Sequence, residues 1–100
     1  MATTTKVLAR TSAATSSTTL YTVPSSTTTV VTNIAVTNTA DAVASFTVLL
    51  DDVSIATTVS VGALDTTIID LKQVLATTKT IKGFASAVTV NFHISGVEIA

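Results

Sequence analysis

From Thr18 onward the chain alternates apolar and polar residues with a period of two, the signature of half-buried β-strands. Thr18 to Val23 sets Leu20 against Tyr21 and Val23, and Pro24, Ser25 and Ser26 end it as a turn. Val30, Thr32, Ile34 and Val36 alternate with Val31, Asn33, Ala35 and Thr37, and Asn38 to Asp41 reads as a loop. Phe46, Val48 and Leu50 alternate with Ser45, Thr47 and Leu49; Asp51 and Asp52 then turn the chain toward Val53, Ile55 and Val59. Gly62 to Asp65 breaks the pattern before Thr67 to Leu71. Only Leu71 to Ala76 has helical character, and so short a helix is marginal alone, so it reads as a crossover turn. Thr80 to Ala85 follows, with Gly83 at a bulge or a close approach. The last strand sets Val88, Val90, Phe92 and Ile94 against Thr89, Asn91, His93 and Ser95. Gly96 breaks the phase, and Val97 and Ile99 resume it.

Seven or eight short strands at this spacing predict an all-β fold, a single antiparallel β-sandwich of jelly-roll or immunoglobulin-like type over residues 17–100. Residues 1–16 have no sustained period and read as an extended N-terminal arm. Within that arm, Lys6, Val7, Leu8 and Arg10 are the candidate partner-binding residues. No fixed repeat supports a solenoid or a propeller.

Composition agrees with strands. Of the 100 residues, 23 are Thr, 14 Val and 7 Ile, so 44 are β-branched, which favours strands and disfavours helices. Charge is scarce: 11% Asp, Glu, Lys and Arg, against about 25% in an average soluble domain. Lys6 and Arg10 give the arm +2, and the remaining residues carry three Lys and six acids. With a net charge of −1 there is no electrostatic footprint for nucleic acid. Near-zero net charge promotes association, so the low charge points to assembly as a homo-oligomer. No apolar run approaches the roughly 18 residues of a membrane span, and the first ten residues lack the apolar stretch of a secretory signal.

Candidate chemistry is sparse. The absence of Cys removes disulfides, thiolate metal sites and cysteine nucleophiles. His93, the single histidine, lies on the polar face of the last strand with no orienting partner nearby in sequence, and reads as a surface imidazole. Asp51 and Asp52 are adjacent, so they would face opposite ways on an extended chain, and they read as a turn. No G-x-S-x-G is present, and Gly62, Gly83 and Gly96 are too dispersed for a phosphate loop. Phe46 and Phe92 read as core; Tyr21 and Phe84 are the aromatics open to a saccharide. No catalytic, metal or cofactor-binding residue is assigned, and a non-enzyme is expected.

Thr19-Leu-Tyr-Thr-Val-Pro24, the run Thr29 to Asn38, Asp65-Thr66, Asp70-Leu-Lys-Gln-Val-Leu75 and Phe92-His-Ile-Ser-Gly-Val-Glu-Ile99 carry a resemblance. Through them the chain resembles small structural proteins of tailed-bacteriophage virions. That resemblance implies a compact β-sandwich placed on the particle, as a capsid decoration (cement) subunit or in the neck or tail. The expected role, as a homotrimer, is to bind the outer surface of the major capsid shell and stabilise it, after synthesis in the host cytoplasm. The expected partners are the major capsid protein or other virion proteins. A module that binds host glycans is the alternative from another class.

Overall fold

A computed structural model describes residues 2–100 of the chain. Among them lie eight strands and no helix: β1 (Thr3–Ser12), β2 (Thr18–Thr22), β3 (Thr28–Asn38), β4 (Ala44–Leu50), β5 (Val53–Val61), β6 (Thr66–Leu75), β7 (Thr80–Ala85) and β8 (Val90–Ile99). They form two four-stranded sheets, ordered β1-β8-β3-β6 and β2-β7-β4-β5. Every pairing is antiparallel. The first strand pairs with the last, the second with the seventh, the third with the sixth and the fourth with the fifth. Contacts of β3 with β8 and of β4 with β7 join these pairs into sheets.

One apolar cluster draws on both sheets, a sandwich-like arrangement. Val31, Ile34 and Val36 of β3 and Val90, Phe92 and Ile94 of β8 come from one side; Phe46 and Val48 of β4 and Ile81 and Ala85 of β7 come from the other. Across the middle, the rings of Phe46 and Phe92 meet edge to face with centroids 6.2 Å apart, the geometry aromatic quadrupoles prefer. Between β4 and β5, Asp51 and Asp52 both adopt the left-handed region, with φ of 55° and 61°. Two positive φ values make the turn whose twist matches a two-residue hairpin. Lys79 and Lys82 reach the two carboxylates at 3.6 and 2.7 Å. The Asp pair is therefore a turn, as its adjacency implied. At the far end of β3, the buried Asn38 side chain donates to the carbonyls of Ala42, Val61 and Gly62 and accepts from the Ala40 amide, which ties the loop after β3 to β5.

The structure departs from the sequence pattern in several places. Leu71 to Leu75, expected in a crossover turn, continues β6, because Ile69, Leu71 and Leu75 turn inward in alternation along β3. An irregularity at Thr32 shifts the register of β3, so Val31 shares the buried face with Ile34 and Val36, where strict alternation sets it on the opposite side. Val88 precedes β8 and is exposed, as are Val53 and Ile55. Gly96 does not break the phase of β8; the irregularities lie in its neighbours β1 and β3. The expected arm is largely an edge strand: Thr3 to Ser12 pairs along β8, and Leu8, Ala9 and Ala13 enter the core. Its lack of period comes from the irregularity between Val7 and Ala9, which puts two consecutive residues inside. Met1 lies outside the described residues.

Gly96 has a steric reason of its own. A Cβ there would collide with the carbonyl oxygen of Val30 and lie 2.8 Å from Cδ1 of Leu8. The strand must therefore move off β3 to accept any side chain. Gly96→Ala is expected to lower the unfolding free energy by about 3 kcal/mol, the upper range for overpacking, read as a shift of the urea midpoint at unchanged slope.

Candidate functional site

Two constructions of polar side chains stand out, one on an outer face and one at an end of the molecule. The first is a shallow hollow of about 270 Å³ on the β2-β7-β4-β5 sheet, lined by Thr15, Ser45, Thr47, Thr58, Phe84 and Ser86 among others. Phe84 pairs with Thr47 across β4 and β7, on the opposite face from the buried Phe46 and Ala85. The register of β5 shifts beside Val48, and Thr58, at φ 48°, directs its amide to Thr47 Oγ1 at 3.0 Å. Ser86 Oγ accepts from the Ser45 amide at 3.0 Å. The result is a half-buried aromatic ring bordered by hydroxyls and free of charged side chains among its lining residues.

The second construction ties the two sheets together. Tyr21 of β2 donates its hydroxyl to Glu98 Oε2 of β8 at 2.5 Å, and lies 2.8 Å from the hydroxyl of the buried Thr29 in β3. Lys6 of β1 reaches the same carboxylate at 3.3 Å. Glu98 is turned inward because β8 alternates without a break, and its side chain is only 14% exposed. Strict alternation from Phe92 and Ile94 through Gly96 places Glu98 on the inner face, so the signal was present once Gly96 is read as spacing and not as a phase change.

These contacts set the ionisation of both partners. Burial first, and then the hydrogen bond to Glu98, push Tyr21 up to about 12, against a smaller opposing effect from Thr29. The Tyr21 hydroxyl first, and then Lys6, hold Glu98 below the ordinary carboxylate value against partial desolvation. The raised Tyr21 contributes stability that is complete below pH 10 and lost as pH rises through about 12. The depressed Glu98 contributes in the opposite sense: its share is complete above the ordinary carboxylate range and lost as pH falls through the lowered value.

The residues expected to bind a partner have separate fates. Lys6 belongs to the Glu98 cluster, and Leu8 is 7% exposed within the core. Val7 and Arg10 remain on the surface of β1, Arg10 opposite His93. His93 is exposed on the outer face between Arg10 and Ala35. Among the described residues, no group of three or more His, Cys, Asp or Glu converges as a metal-holding set. No helix among them is long and apolar enough to cross a membrane. No family model, no curated protein and no solved structure matches the chain.

Tyr21 is the single tyrosine, so phenolate absorbance follows one group. In the folded protein it is expected to titrate near 12, and Glu98→Gln should move the midpoint down. An unchanged midpoint in that variant would show that burial alone sets it.

Proposed function

We propose that the chain is a non-enzymatic structural protein of a tailed-phage virion, a jelly roll that decorates the outer surface of the capsid shell and stabilises it. The strand order supports the jelly-roll reading. A hairpin of four antiparallel pairs, first with last and fourth with fifth, wrapped into two sheets has this connectivity, and such folds furnish viral capsid and lectin domains. The resemblance carried by Thr19 to Pro24, Thr29 to Asn38 and Phe92 to Ile99 supports the virion reading.

The observation that carries the role is the surface. Val7, Val43, Val53, Ile55, Leu64, Ile68, Val74 and Val88 are all exposed, in a chain with only 11% charged residues. Apolar side chains spread over several sides of a small body are covered when that body sits among neighbours in a shell. The partner is then the major capsid protein, and many weak contacts repeated by symmetry add up through avidity. Quantitative gel analysis of purified particles tests this: a decoration subunit is present in hundreds of copies. Tens of copies or fewer would move the protein to the neck, collar or tail.

The hollow at Phe84 supports a second reading, a neutral saccharide stacked on the ring and hydrogen-bonded by the surrounding hydroxyls. Retention on a glycan array that is lost in Phe84→Ala would favour it; silence of the parent protein across a broad array would sink it.

A further inference from the structure

Among the described residues the two sheets end in four edges, β1 and β6 in one and β2 and β5 in the other. An open edge exposes unpaired N–H and C=O groups, and chains normally blunt it with bulges, short strands or repelling charges. Three of these edges are blunted. β1 is interrupted between Val7 and Ala9 and carries two cations, Lys6 and Arg10. β2 has five residues, slips in register at Leu20 and is followed by Pro24. The register of β5 shifts twice, and Thr58 sits at φ 48°.

β6 is the least blunted of the four: it has one register shift, and its single cation, Lys72, stands two residues from Asp70. It runs for ten residues without a positive φ or a proline. It absorbs a register shift against β3 between Asp70 and Gln73, yet keeps its own alternation. Ile68, Asp70 and Val74 align through Ala35, Asn33 and Val30 with His93, Ser95 and Val97, on the outer face. Lys72 falls in the same alternation. Ile68 and Val74 are 61% and 68% exposed. Asp70 and Lys72 are exposed too, and neither forms an ion pair among the described residues.

The order of these residues is self-complementary: apolar, acid, central Leu71, base, apolar. Laid antiparallel on a copy of itself about Leu71, the strand sets Ile68 opposite Val74 and Asp70 opposite Lys72, each twice. Opposite-charge and aliphatic cross-strand pairs are the stabilising units of antiparallel sheets. Beside this edge a cleft of about 330 Å³ is lined by Leu50, Val53, Ser54, Ile55 and Gln73, so two further exposed apolar side chains lie where a neighbour would cover them.

We infer that β6 is the docking edge for a second copy of this chain. The two β6 strands pair antiparallel about a two-fold axis at Leu71, joining the β1-β8-β3-β6 sheets of both copies into one continuous sheet. The interface is isologous. It is two-fold, in place of the three-fold assembly expected of a capsid decoration subunit, and it holds whether or not the protein sits on a virion.

Sedimentation equilibrium of the full chain tests this, with the parent expected at twice the 10.2 kDa chain mass. Asp70→Lys and Lys72→Asp each set like charges opposite one another twice, and each should weaken the dimer about tenfold or more. The double variant D70K/K72D restores the pairing and the affinity. Mixing the two single variants should also restore it, as a heterodimer. A parent that stays monomeric or sediments as a trimer overturns the inference. So do single variants that associate as tightly as the parent, or a mixture that forms no heterodimer. Because both positions are exposed, the single variants should fold, and the mixing result separates loss of folding from loss of pairing.

Discussion

The edge-to-face contact of Phe46 with Phe92 is where the two sheets are held at one spacing and one offset. Each ring is the third residue of its strand, β4 or β8, so the contact links residues that lie 46 apart in the chain. What surrounds it must conform. Gly83 lies against the Phe92 ring, where a Cβ would stand 3.4 Å from two of its atoms and 3.0 Å from Leu20 Cδ1. Aliphatic side chains from β3, β4, β7 and β8 fill the remaining space, and they are mostly β-branched, stiff and suited to a pleated surface. The core is thus built from a narrow set of residues that satisfy the strand conformation and the packing at once.

The Tyr21, Thr29, Glu98 and Lys6 cluster is the polar counterpart of that contact. It draws one residue from each of β1, β2, β3 and β8 and closes one end of the molecule with hydrogen bonds in place of packing. A carboxylate so little exposed needs its donors, and the phenol and the ammonium supply them. Elsewhere the few charges serve local structure. Asp51 and Asp52 make the turn after β4, and Lys79 and Lys82 clasp it from the chain around β7. With these committed, the outer faces carry threonine, serine and uncovered aliphatic residues, with single charges such as Arg10, Asp70 and Lys72 among them.

How much was legible depends on which rule governed each element. Alternation located β4 and the buried face of β8 from Val90 to Ile94, because the extra residues at their register shifts lie in the neighbouring strands β5, β1 and β3. It failed at Thr32 and at Leu8, where an extra residue in one strand reverses the facing of everything beyond it. Such a reversal is invisible without the partner strand. Leu71 to Ala76 looked helical because Leu, Lys, Gln and Ala favour helices locally, and pairing of Leu71 to Leu75 along β3 overrode that preference. The Phe84 hollow was out of reach for another reason: it takes residues from β4, β5, β7 and the segment after β1, brought together only by sheet order.

The sequence by itself determined an all-β chain: its wealth of β-branched residues, its period of two and its turn residues leave strands as the economical conformation. It also determined the Asp51–Asp52 turn and the core roles of Phe46 and Phe92. Tertiary structure alone decided that Thr3 to Ser12 is an edge strand along β8, that Glu98 faces inward, and that β6 is an open edge. Alternation says which side chains leave water, but a strand's neighbour is chosen by hydrogen bonds between residues distant in sequence. That choice is made only when both sheets close over one core.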